Sequence, residues 1–108
     1  MSANPTRELA EYFSGLRYEA IPARVRERVT DIVLDTVASA IAGRHGDETA
    51  QIEALAAAIG GPNTSTVIAA APSSLAGAAL TNGYQITAVT VCDIHRPTLC
   101  HVTPEVVP

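Results

Sequence analysis

Asp93, His95, Arg96 and His101 fall within nine residues of one another, with Cys92 and Cys100 interleaved and Thr103-Pro104-Glu105 just beyond. The last three have the form of a helix start: a hydroxyl cap, a proline at the first helical position and an acid in the first turn. On residue types alone, four kinds of role are open to this set. Asp93, His95 and His101 could supply three ligands to a metal, although their spacing matches no strong zinc signature and neither cysteine sits in a Cys-x-x-Cys pair. Cys100 adjoins His101 and could be a thiol nucleophile activated by an imidazole. General acid-base chemistry on an anionic substrate is the third. A carboxylate accepts a proton from carbon next to a carboxyl group, an imidazole donates one to a leaving hydroxyl, and Arg96 with the helix N-terminus holds negative charge. The fourth is ordinary structure, with Asp93 capping a turn, His95 exposed and His101 a loop histidine. His45, alone in Gly43-Arg44-His45-Gly46, reads as an exposed turn residue.

The rest of the 108-residue chain narrows the setting. It is 47% hydrophobic and 17% charged, with room for at most one domain. One Phe and no Trp leave a core vocabulary of Ala, Val, Ile and Leu, whose small side chains allow close helix contacts but bury little each. All seven positive charges are Arg and the net charge is -4. Arg24, Arg26 and Arg28 are the only basic cluster, spread around a helix among Glu27, Asp31 and Asp35, so they form a solvated, partly ion-paired surface and no nucleic-acid partner is expected. The absence of Lys removes one common catalytic base and Schiff-base former from this chain. Two cysteines make no disulfide framework, the first ten residues are too polar for a signal peptide, and no run approaches the ~20 apolar residues of a membrane span. The expectation is a cytoplasmic protein with no membrane partner.

Four helices must position the reactive loop. Asn4-Pro5 with Glu8 starts the first, with Leu9, Tyr12, Phe13 and Leu16 on one face and an end near Gly15 to Tyr18. Pro22 opens a longer second helix, in which Val25, Val29, Ile32, Val33, Val37 and Ile41 form the expected buried stripe and Gly43 the stop. Asp47 to Ile59 reads as a third, with Ile52, Leu55, Ala56 and Ile59 inward, ended by Gly60-Gly61-Pro62. Thr64 to Ile68 is β-branched and, with no partner strand in view, reads as an extended connection. Pro72-Ser73-Ser74 caps a fourth helix from about Leu75 to Val91, where Gly77, Ala78, Ala79, Gly83 and Ala88 would let a neighbour approach. Gly83 costs about 1 kcal/mol of helix propensity against Ala, which a close neighbour would explain. The fold expected is all-α. A helix start at Thr103 with almost no helix after it reads as the end of an N-terminal piece of a larger protein.

This order of features resembles the N-terminus of the 2-methylcitrate dehydratase family, MmgE/PrpD, which includes cis-aconitate decarboxylases and iminodisuccinate epimerases. Leu9 to Leu16 resembles the family's opening helix. Ile21-Pro22 with Val33-Leu34-Asp35-Thr36-Val37-Ala38-Ser39-Ala40-Ile41-Ala42-Gly43 resembles its second, and Asn82-Gly83 its small-residue helix leading into the site. The family follows that helix with an acid-rich stretch and then a His-Pro pair. Asp93 aligns with one acid and His101 with the histidine. Val91, Cys92 and Ile94 stand where the family often has Asp, Phe and Asp, His95 where Thr is common, and Val102 in place of the proline.

The resemblance implies that residues 1 to 108 are the N-terminal segment of the family's helical domain. The rest of that domain, a smaller α+β domain and later lysine, histidine and tyrosine residues would complete the site. It implies a cofactor-independent enzyme that needs no metal and acts on a small carboxylate, as a homodimer in its full-length form. Asp93 and His101 would be catalytic, with Asp93 orienting or accepting a proton and His101 binding a carboxylate or acting as acid. His95 and Arg96 would bind substrate by adding positive charge. Dehydration, decarboxylation and epimerisation share this proton handling. A non-enzymatic helical binding or dimerisation module is the alternative from another class.

Overall fold

The computed structural model describes residues 4 to 108. Among them are five α-helices and no strand: α1 Pro5–Gly15, α2 Ala23–Gly43, α3 Thr49–Ile59, α4 Leu75–Ala88 and α5 Thr103–Val106. The chain forms two compact units, Met1–Thr30 and Asp31–Pro108.

In the first unit, Asn4 caps α1 by accepting the Arg7 N–H at 3.1 Å, and Pro5 supplies the preset first turn. Arg7 and Glu11 pair one turn apart at 2.8 Å, an exposed contact worth a few tenths of a kcal/mol. Leu9, Tyr12 and Phe13 do lie at helical spacing, with the two rings edge to face at 5.3 Å, but all three are exposed. After the 3-10 turn Tyr18–Ala20, the Arg26 guanidinium lies 4.9 Å from the Tyr18 ring centroid and donates to the Tyr18 carbonyl. Arg26 thus leaves the solvated set, while Arg24 and Arg28 remain exposed.

The second unit is organised by small residues. Thr36, Ser39, Ala40 and Gly43 are the buried face of α2. The Val and Ile stripe expected to be buried is not: in this unit Ile41 is 53% exposed, Val33 is exposed, and Ile32 and Val37 are half-buried, and in the first unit Val25 and Val29 are exposed. The reason is the closeness of the α4 backbone. A Cβ added at Gly43 would lie 1.9 Å from the Gln85 carbonyl oxygen and 3.2 Å from the Ala88 Cβ. Only a face without bulky side chains permits that approach, so the small-residue face turns inward and the β-branched one outward. The hydroxyls this buries bond back along their own helices, Thr36 to the Ile32 carbonyl at 2.7 Å and Thr81 to the Gly77 carbonyl at 2.9 Å.

Helix α3 runs antiparallel to α4, with Gly77 against the Ala56 carbonyl near one end and Tyr84 against Glu48 near the other. Tyr84 Oη donates to Glu48 Oε2 at 2.8 Å and accepts the Glu48 N–H at 2.9 Å, which ties the start of α3 to α4. Ala56 is buried and Ile52 half-buried as expected, whereas Leu55 and Ile59 are exposed. Gly60, at φ +72°, ends α3 in a conformation that favours glycine.

Thr64 to Ile68 is an extended connection, and Asn82 accounts for it. Its amide donates to the Thr66 carbonyl at 3.1 Å and accepts the Ile68 N–H at 2.9 Å, so a side chain does for this segment what a neighbouring strand would do. Ser65 and Ser73 form one antiparallel bridge across the same connection. The N-cap of α4 is Ser74, whose Oγ accepts the Gly77 N–H at 3.1 Å. The helix stops at Ala88, short of the Val91 expected, and Thr90 takes φ +53°. Three β-branched residues in a row, Val89 to Val91, weaken a further turn. No helix among the described residues is long and apolar enough to cross a membrane.

Candidate active-site loop

The positive φ at Thr90 turns the chain out of α4 into the loop that carries Cys92, Asp93, His95, Arg96 and His101. The loop folds back on itself, with the His95 N–H donating to the Cys100 carbonyl at 2.8 Å and an antiparallel bridge between those residues. Its tip is a turn closed by Thr98 N–H to the His95 carbonyl at 3.1 Å, with Leu99 at φ +53°. This return places His101 beside Cys92 and Asp93.

Asp93 and His101 are brought together, by the main chain of one and the side chain of the other. His101 Nδ1 lies 3.0 Å from the Asp93 carbonyl oxygen and 3.3 Å from Cys92 Sγ. The Asp93 carboxylate points to α5, where its Oδ1 accepts the Thr103 N–H at 3.0 Å and the Thr103 hydroxyl. Thr103 is buried while Asp93 is half-buried and His101 exposed. Thr103 therefore does not act as the expected hydroxyl cap. It is the first residue of α5, and Asp93, ten residues earlier, satisfies its amide and hydroxyl instead. That amide is consequently occupied and does not stand open to an anion, and α5 is a single turn of four residues.

His95 and Arg96 go elsewhere. His95 Nδ1 lies 2.8 Å from Thr98 Oγ1, inside the turn, and no hydrogen bond or ion pair among the described residues joins either His95 or Arg96 to Asp93 or His101. Cys100, the cysteine next to His101 in sequence, directs its sulfur to the His101 carbonyl at 3.6 Å, and Cys92 is the one that meets the ring. Among the described residues no group of three or more His, Cys, Asp or Glu side chains is arranged to hold a metal ion. What residue types alone did not reveal is that Cys92 meets His101 and Thr103 meets Asp93, because contacts across a nine- or ten-residue return leave no local spacing signal.

The loop is held against α4 through α5. At Gly83 an added Cβ would meet the Pro104 carbonyl oxygen at 3.4 Å and the Pro108 ring at 3.7 Å, which is ordinary contact. Closer approaches on this scaffold are at Gly43, at Gly46, where an added Cβ would stand 2.9 Å from the Ala88 Cβ, and at Gly77, where it would stand 2.5 Å from Ser73 Oγ. A cleft of about 510 Å³ lies at the opposite end of α4, lined by Ser73, Ser74, Asn63 and the Arg44–Glu53 ion pair at 2.9 Å. On α4 the cleft reaches as far as Thr81, and from there to the end of the helix at Ala88 is roughly 10 Å.

Fold and loop together define an all-α domain in which a small-residue helix delivers an acid and an imidazole to one hydrogen-bonded loop. The chain belongs to the MmgE/PrpD family: the family model for the MmgE/PrpD N-terminal domain matches residues 7–108. No curated protein and no solved structure gave a match to the chain.

Proposed function

We propose that this chain is the N-terminal segment of the helical domain of a cytoplasmic, cofactor-independent lyase that removes water from a small hydroxylated di- or tricarboxylate such as 2-methylcitrate. The observation that supports this reading is the Asp93 and His101 cluster, found at the end of α4 in a chain that matches the family's N-terminal domain. Loss of water breaks a C–H bond next to a carboxylate and a C–O bond on the adjacent carbon. A base takes the proton and an acid protonates the departing hydroxyl. His101, exposed and anchored at one ring nitrogen, is suited to exchange a proton or bind a carboxylate at the other. Asp93 holds the start of α5 with one carboxylate oxygen and has the second left for orienting a donor. His95 and Arg96, exposed on the turn, add positive charge near an incoming carboxylate. Decarboxylation or epimerisation of a related carboxylate would use the same groups.

The test is an assay of the full-length protein and of residues 1 to 108 alone with 2-methylcitrate and cis-aconitate. Turnover by the full-length protein without added metal or organic cofactor is expected, and none by the 108-residue chain. Inactivity of the full-length protein on small carboxylates would refute the lyase reading, and turnover by the short chain would refute the segment reading.

A second reading, a helical dimerisation module, is favoured by the exposed apolar residues Val29, Val33, Leu34 and Ile41 on α2. A homodimer of the full-length protein is compatible with both readings. Self-association of a catalytically inert full-length protein would favour the second.

A further inference from the structure

We infer that His101 is held as the Nδ1–H tautomer by the Asp93 carbonyl and by Cys92 Sγ, so that Nε2 alone exchanges protons, and that Cys92 is a positioning residue for this ring. The inference takes its functional sense from the proton-transfer role proposed for His101, but its test requires no substrate.

A carbonyl oxygen can only accept, so the 3.0 Å contact between the Asp93 carbonyl and His101 Nδ1 requires the proton to be on Nδ1. A nitrogen that carries its proton has no lone pair left to accept a thiol hydrogen. Cys92 Sγ, 3.3 Å from the same nitrogen, is therefore a second acceptor of the Nδ1–H, and any proton on the sulfur points away. In the neutral ring the free lone pair is then on Nε2. On protonation both nitrogens become donors and Nδ1–H keeps both its acceptors, so ring orientation is unchanged through a cycle of proton uptake and release. The hydrogen bond made by one imidazole nitrogen thus sets what the other can do.

Two consequences follow for the neighbouring groups. His101 cannot act through Nδ1 as the base that ionises Cys92, which removes the geometric basis for a thiol nucleophile at this pair. Asp93 acts on His101 through its main chain, while its carboxylate fixes Thr103 and with it the strand of loop that returns His101 to the ring's acceptors. The side chain and carbonyl of one residue thereby hold two positions, Thr103 and His101, on the returning limb of the loop.

Long-range 1H–15N correlation spectra of the 15N-labelled chain at about pH 8, above the ordinary imidazole pKa of ~6.5, read the tautomer of each histidine directly. His95→Ala and His45→Ala variants assign the three rings, and exposed His45 serves as the internal reference. His101 is expected to be predominantly Nδ1–H in the unaltered chain and in Cys92→Ser, which keeps an acceptor at that position. Cys92→Ala removes one of the two acceptors and leaves the Asp93 carbonyl, so it should lower the Nδ1–H fraction without abolishing it while the amide spectrum stays dispersed. Predominance of Nε2–H in the unaltered chain would overturn the inference. An unchanged tautomer in Cys92→Ala would overturn the part assigned to Cys92. Because no turnover is measured, these outcomes are independent of whether the lyase assay succeeds.

Discussion

A methyl group placed on Gly43 tests the close crossing of α2 and α4 that turns the small-residue face of α2 inward. The added Cβ would stand 1.9 Å from the Gln85 carbonyl oxygen and 2.9 Å from its carbon, against an ordinary limit of 3.4 Å. The two backbones must separate by roughly 1.5 Å to admit it, because a helix carbonyl cannot rotate aside as a side-chain tip can. Overpacking of this kind costs ~1–3 kcal/mol, and the rigid partner puts Gly43→Ala at the upper end of that range. Helix propensity returns at most ~1 kcal/mol, leaving a net loss of about 2 kcal/mol. For a chain of this size that lowers the melting temperature by on the order of 10 °C. Gly15→Ala is the control, since an added Cβ there meets nothing within 4 Å and carries the propensity gain alone. Thermal melts followed by circular dichroism should show Gly43→Ala well below the unaltered chain and Gly15→Ala at or above it. A Gly43→Ala protein that melts as high as the unaltered chain would refute the close crossing.

Four further outcomes follow from named contacts. Gln85 is fully buried with neither amide atom partnered in the structure, so Gln85→Met should stabilise the chain by ~1–3 kcal/mol in denaturant titration, and a loss would show that the amide is satisfied. Asn82→Ala strands the Thr66 carbonyl and the Ile68 N–H, and should cost about 2 kcal/mol with faster amide exchange at Ile68; unchanged exchange there would contradict the bracing role. In the full-length protein His101→Ala should lose ~10²-fold or more in rate and His95→Ala less, both folded by circular dichroism, whereas equal losses would show that the loop alignment is misplaced. Chelator should leave the activity of the full-length protein intact, and stoichiometric zinc lost together with activity would reinstate a metal role for Asp93, His95 and His101.

Local rules were sufficient for the existence, type and approximate ends of the long helices. Asn4-Pro5 and Ser74 cap the helices they were expected to cap, and Gly60 and Gly43 stand at helix ends, because capping and helix termination depend on residues a few positions apart. The extended path of Thr64 to Ile68 was legible as well, but the amide of Asn82 that braces it was not, since that contact spans at least fourteen residues. The acid and the imidazole of the loop were visible as residue types within nine positions of one another.

Which face of each helix is buried was decided only in three dimensions. Periodicity identifies an apolar stripe on α2, but burial follows the face that lets another backbone come close, and Gly43 and Ala40 satisfy that condition where Val33 and Ile41 cannot. The partners within the loop were likewise a tertiary result. Sequence adjacency pointed to Cys100 beside His101 and to Thr103 as its own helix cap, whereas the return of the chain at Thr98 and Leu99 put Cys92 on the ring and Asp93 on Thr103. Residue order determines which groups are available and which helices form. Which of those groups meet depends on two backbone turns, at Thr90 and Leu99, whose effect accumulates over ten residues and so cannot be read from any single spacing.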